Sequence, residues 1–242
     1  MFYFEDYELH LKQLPMKDNF QKEDLMTDSF LFAKDNNVEV FWAPFEYLNT
    51  EAKVMIVGIT PGWTQMQLAF QYVRKHIDAE NREKVLINAK KQASFGGKGI
   101  RKNLIEMLDG IELNEALHIK TCAELYDEKN HFLHSTSTLR YPVFINKKNY
   151  TGSSPSMLKR PFLLKMIQDL FVPEVNKVPN AIIIPAGKAV SEVLRYLFAE
   201  GKIRHQTILY NFPHPSGANG HRKRQFEDKK EDFKATVKKH FS

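Results

Sequence analysis

The sequence predicts an α/β fold, a three-layer α/β/α sandwich around a central, mostly parallel four-stranded sheet, on three observations. Short continuous apolar runs, at 54–59 (VMIVGI) and 181–185 (AIIIP), have the length of strands and the make-up of strands covered on both faces. Stretches of helical periodicity separate them. The turns that join the two kinds of segment are short and marked by Gly and Pro, as in βαβ units. At 242 residues, 43% hydrophobic and 26% charged, the chain suits one sizeable domain with its own core. The expected organisation is therefore a single domain over 1–242, with 1–50 as a helical N-terminal extension and 126–160 as an insert.

Taken in order, Phe20, Leu25, Phe30, Leu31 and Phe32 fall near helical spacing between Pro15 and Pro44. The run at 54–59 is the first strand, broken by Thr60-Pro61-Gly62. Residues 64–93 read as one or two helices, 94–99 (SFGGKG) as a loop, and 101–108 as a helix closed by Asp109-Gly110. Residues 117–123 are expected to form the second strand and 141–146 a short extra strand or hairpin arm. Ser156 is placed to cap a helix running to Phe171. The third strand is 181–185, followed by the turn Ala186-Gly187-Lys188 and a helix over 189–199. Residues 207–212 form the expected fourth strand, and a basic helix closes the chain. Ligands of such sheets bind at the carboxyl ends of the strands, where the loops after Ile59 and Phe212 lie.

Several functions are disfavoured at once. The single cysteine, Cys122, excludes an internal disulfide, cannot alone build a zinc site, and suits a reducing cytoplasm. The opening MFYFED lacks the basic start and apolar run of a secretory leader, so none is expected, and no apolar stretch approaches the length of a membrane span. There is no nucleotide-binding Gly-x-x-x-x-Gly-Lys loop and no nucleophile elbow; His131 and His134 lack companions of ligand type. Neither a metal nor a cofactor is expected. A formal charge of +6 favours a polyanionic partner, with positive charge gathered at 221–224 (HRKR) and at Lys238-Lys239.

Two loops carry a family likeness. Gly58-Ile59-Thr60-Pro61-Gly62 resembles the first motif of the uracil-DNA glycosylase superfamily, closest to the mismatch-specific thymine/uracil and single-strand-selective branches with their Gly-x-Asn-Pro-Gly pattern. His214-Pro215-Ser216 matches its second motif. Ser94-Phe95 with the following helix is similar to the family's aromatic loop, and 182–189 (IIIPAGKA) to its third strand and small-residue turn. These features keep the family's order over about residues 53–225.

The resemblance implies an enzyme that hydrolyses the N-glycosidic bond of uracil or a modified or mismatched pyrimidine flipped out of DNA, single- or double-stranded, in the cytoplasm and on the nucleoid. Such chemistry needs a placed water, a donor aimed at the departing base, and a pocket reached by a flipped nucleotide. By resemblance His214 is the donor and Thr60 the water-binding position, where relatives hold Asp or Asn. A threonine hydroxyl orients a water but is no base at neutral pH. Gly58, Ile59, Gly62, Phe95, Thr121 and Asn146 are the base-binding candidates. Gly62 replaces a tyrosine that excludes thymine in the strict uracil enzymes, and Phe95 is the stacking platform. Thr121 stands at the expected end of the second strand, and Asn146 is the alternative source of a base-reading amide. Trp63 is expected to wall the pocket or to pack. Ser216, the amides of Gly217, Ala218 and Gly220, and Arg222, Lys223 and Arg224 are the expected phosphate contacts, Arg222 doubling as a wedge; Lys98, Arg101 and Lys102 make a second group. Two other readings stand beside this one: a diverged module that binds DNA or a base without cleaving, and an enzyme of free nucleosides or nucleotides.

Overall fold

A parallel three-stranded sheet and a separate antiparallel sheet organise the chain, which the computed structural model describes over residues 2–97, 99–203 and 207–242. The first half runs α1 (Phe4–Gln13), α2 (Lys22–Leu25), β1 (Leu31–Asp35), β2 (Val38–Phe41), β3 (Val54–Gly58), α3 (Trp63–His76), α4 (Arg82–Ala93), α5 (Ile100–Gly110) and α6 (Leu113–Ala116). The second runs β4 (Leu133–Ser137), β5 (Val143–Ile145), β6 (Lys148–Asn149), α7 (Pro161–Met166), α8 (Val172–Asn176), β7 (Ile182–Pro185), α9 (Lys188–Ala199), α10 (Arg222–Glu227) and α11 (Lys230–Phe241). Contacts divide these elements between two compact units, each made of interleaved segments rather than one stretch.

The first unit comprises Met1–Leu48, Thr60–Gly96 and Leu139–Phe171. Its antiparallel sheet has the order β1-β2-β5-β6. Residues 1–50 are thus not wholly helical, because 31–41 forms a hairpin. Asp35 pairs with Val38 across a two-residue turn, and Asn36 takes the positive φ of 53° that asparagine tolerates. Trp42, Phe20, Phe30 and Phe70 are fully buried here, and Tyr7 stacks on Trp42 at 4.5 Å. Glu46 lies among them, 2% exposed. Its carboxylate accepts from the amides of Tyr3 and Phe4, each at 2.9 Å, from Trp42 Nε1 at 3.1 Å and from the Tyr141 hydroxyl. It therefore caps α1 and satisfies two indole and phenol donors together.

The second unit comprises Asn49–Ile59, Gly97–Thr138 and Val172–Ser242. Its sheet has the order β4-β3-β7, every pair parallel. The expected second strand at 117–123 is absent; His118 takes φ 57° and 122–126 winds into a 3-10 turn. The strand beside β3 is instead β4, which falls inside the stretch expected to be an insert. Its His134 is buried despite its polarity, bonding Glu174 at 2.7 Å. Residues 207–209 run parallel to β7 but make a single bridge, Ile183 to Ile208, so the expected fourth strand is rudimentary. Ser156 makes no side-chain cap; α7 starts at Pro161, where a missing N–H costs nothing. No described helix is long and apolar enough to cross a membrane.

Candidate functional site

The residues singled out by resemblance are shared between the two units, since one boundary falls between Ile59 and Thr60, inside the first motif. Each group is built within its own unit.

In the second unit the centre is His214. Burial lowers its pKa from the ordinary histidine value, so the imidazole is neutral near pH 7. Its Nδ1 lies 3.1 Å from the Ser216 amide, which can only donate. Nδ1 is therefore the acceptor and the proton sits on Nε2. Nε2 has no hydrogen-bond partner among the described residues. The loop around it is braced from several sides: Asn103 Nδ2 donates to the Pro215 carbonyl at 2.8 Å, Arg222 Nη1 to that of Ser216 at 3.0 Å, and Asn219 Nδ2 to that of His214 at 3.4 Å.

Gly187 completes the brace, and the sequence did not single it out as a site residue. It takes φ 107°, and a Cβ there would lie 3.1 Å from His214 Cβ and 3.3 Å from Cδ2. Its amide bonds the Phe212 carbonyl at 2.9 Å. Gly187→Ala is expected to cost about 1–3 kcal/mol through strain and overpacking and to shift the His214 ring resonances, read by denaturant unfolding and NMR. The imidazole makes its own prediction. Because its pKa is lower in the folded state, the unfolded chain binds the proton first as pH falls. His214 thus favours the fold above the ordinary histidine pKa and loses that contribution as pH drops through its lowered value. Nitrogen-15 spectra should report a neutral Nε2–H tautomer at neutral pH, with a protonated ring appearing only below the usual range.

The backbone of the first motif is held in this unit as well. Gly58 ends β3 opposite Ser137, its carbonyl accepts from the Thr138 amide at 2.9 Å, and the Ile59 carbonyl accepts from the Thr138 hydroxyl at 2.9 Å. Ser137 and Thr138, not Thr121, therefore occupy the end of the strand beside the motif. Thr121 caps the 3-10 turn instead, bonding Asp109 Oδ2 at 2.6 Å and accepting from the Ala123 amide at 3.3 Å.

In the first unit Thr60 donates its one hydroxyl proton to the Tyr141 carbonyl at 2.8 Å and accepts from the Val143 amide at 3.0 Å. One lone pair remains, enough to accept from a water but not to take a proton from it. Gly62 has φ −86°, so the backbone does not demand glycine. A Cβ there would meet Asn149 Nδ2 at 3.4 Å, an ordinary van der Waals contact, so the immediate surroundings admit a small side chain as well. Asn149 Oδ1 accepts from the Trp63 amide at 3.0 Å and caps α3. Asn146 is not at this turn. It sits exposed at the tip of the β5–β6 hairpin with φ 49°, its amide bonded to the Asn37 carbonyl at 3.1 Å. The amide beside the first motif is thus Asn149, which the sequence reading passed over.

Comparison with known proteins gives the chain its family. It is 37% identical over 226 residues to the uncharacterized protein YoxB of Bacillus subtilis (strain 168), a match that spans 92% of this chain and 88% of that one. The chain belongs to the YoxB family. No family model matches it.

The remaining expected contacts of this YoxB-family chain have local roles of their own. Phe95 is 8% exposed with φ 51°, so its ring is packed and offers no open face for stacking in this conformation. Arg222 is engaged with loop carbonyls and is not projected as a wedge. Within the phosphate loop, the Ala218 amide bonds Ser216 Oγ at 3.2 Å and the Gly220 amide bonds the Ala218 carbonyl at 3.2 Å, while the Gly217 amide has no partner among the described residues. Lys223 and Arg224 are exposed. Arg101 stacks over the Tyr126 ring at 4.6 Å, and burial lowers its pKa. Lys102 is exposed, and Lys98 lies outside the described residues. Trp63 is the first residue of α3.

Proposed function

We propose that this chain is a DNA glycosylase of the uracil-DNA glycosylase kind, releasing uracil or a modified or mismatched pyrimidine from DNA. The reading carries with it the three-layer sandwich of that superfamily, with 207–209 as a reduced fourth strand. His214 is the observation that supports it best: a neutral imidazole with its proton on Nε2 and that nitrogen unpaired among the described residues. As the glycosidic bond breaks, positive charge grows on the sugar and negative charge on the leaving base. An Nε2–H donor to the pyrimidine oxygen stabilises the second charge without transferring a proton. With so much cationic character on the sugar, water needs orienting more than deprotonating, which the free lone pair of Thr60 supplies. Ser216, Gly217, Lys223 and Arg224 hold phosphates on this reading, and Asn149 takes the place given to Asn146 as the base-reading amide.

A second reading, a base-recognition module that cleaves nothing, is favoured by the Thr60 proton being committed to the Tyr141 carbonyl. Single-turnover incubation of the full chain with labelled oligonucleotides separates the two. The strands carry uracil, hydroxymethyluracil, or G·T and G·U mismatches, single and double, and alkali then breaks abasic sites. Release that requires His214 and falls in Thr60→Ala supports the glycosylase. Absence of release with salt-sensitive binding retained supports the module.

A further inference from the structure

Away from these residues, the first unit contains a cavity of about 370 Å³ walled by α3, the segment 16–18 and Gln92 of α4. That volume is at the small end of ligand pockets, enough for one compact molecule. Its chemistry is uneven. Lys17, Arg74 and Lys75 bring three permanent positive charges to the wall, against the single carboxylate of Asp18. Two of the cations are partly held, Lys17 by Asp24 at 2.7 Å and Arg74 by the Leu14 carbonyl at 2.7 Å and by Asp78 at 3.4 Å. Lys75 has no ion-pair partner among the described residues and is exposed.

Beside the cations stands an aromatic pair. Tyr72 and His76, one helical turn apart, stack with ring centroids 4.1 Å apart and planes 17° from parallel. His76 Nδ1 lies 2.8 Å from the Tyr72 carbonyl, which only accepts, so Nδ1 carries the proton and the ring is locked flat against its neighbour. A fixed planar surface next to an unpaired ammonium is the combination that binds a base and its phosphate together. The Asp18 carboxylate, without a partner among the described residues, adds an acceptor that suits an exocyclic amino group.

We propose that this cavity binds a nucleotide, its phosphate on Lys75 with Arg74 and Lys17 behind, its base on the Tyr72–His76 pair and its amino group on Asp18. The nucleotide is either free or the end of a single strand. This inference is independent of base release, because none of these residues belongs to the Thr60 or His214 groups.

The test is titration of the full chain, followed by amide NMR, with deoxyadenosine 5′-monophosphate, with a 5′-phosphorylated oligodeoxyadenylate, and with deoxyadenosine and inorganic phosphate separately. Saturable shifts centred on residues 16–18, 71–76 and 92 are expected with the monophosphate. Lys75→Glu and Tyr72→Ala should each weaken them at least about tenfold, with the rest of the spectrum unchanged. Tighter binding of the oligonucleotide identifies the strand end as the source, and equal binding the free nucleotide. Shifts elsewhere, no saturation, or inorganic phosphate binding as well as the nucleotide would overturn the proposal. His214→Ala, which removes base release on the glycosylase reading, should leave this titration unchanged.

Discussion

His214→Ala is expected to lower single-turnover base release by about a hundred- to a thousandfold, the loss that follows removal of one donor to a developing oxyanion. The effect should fall on the chemical step. Salt-dependent DNA affinity should stay within a few fold, because the phosphate contacts assigned to Lys223 and Arg224 do not depend on the imidazole. His214→Gln keeps an N–H donor on a side chain of comparable reach and should recover part of the rate, which truncation alone would not. The pH profile adds a check. A neutral donor predicts activity that holds through neutral pH and changes only below the ordinary histidine range, following the lowered pKa of this ring. A variant as fast as the natural chain would assign the imidazole to the packing of its loop.

Glu46→Ala should have the largest effect on stability. It leaves the amides of Tyr3 and Phe4, the Trp42 indole and the Tyr141 hydroxyl without their acceptor inside the aromatic core. At about 1–3 kcal/mol for each buried donor orphaned, and with incomplete additivity, the loss is on the order of 5 kcal/mol. That is comparable with the whole stability of many domains. Glu46→Gln retains one acceptor oxygen and should cost less than half as much. Urea midpoints of the three proteins decide the matter, and a loss under about 1 kcal/mol in the alanine variant would mean that water replaces the carboxylate.

The parts of this architecture that are legible in the sequence are those written in aliphatic residues. β3 and β7 are continuous apolar runs buried on both faces, and pattern alone finds them. β4 reads Leu-His-Ser-Thr-Ser and is buried over its first four residues, but its polarity is neutralised by partners distant in the chain, Glu174 for His134 above all. No local rule reports that pairing. The segment 117–123 misleads for the opposite reason: Leu117, Ile119 and Cys122 are apolar and buried, yet Asp109 and Thr121 fold the backbone into a cap and a 3-10 turn. In the candidate site, motif residues are visible as letters while their states are not. The tautomer of His214 depends on the Ser216 amide, and its seating on Gly187. The choice between Asn146 and Asn149 depends on where the β5–β6 hairpin turns, which two nearby asparagines cannot reveal.

The interleaving of the two units has a consequence for how the protein comes into being. The chain passes from one unit to the other at Leu48, Ile59, Gly96, Thr138 and Phe171, so neither unit is complete until late in synthesis. β3 must wait for β4, some eighty residues downstream, and both must wait for β7 before the parallel sheet can close. A nascent chain emerging from the ribosome therefore carries the apolar strand β3 unpaired until β4 has been made, dependent on whatever shields it in the meantime. Stop codons or frameshifts anywhere before residue 171 should leave neither unit complete, only chain for the cell's proteases.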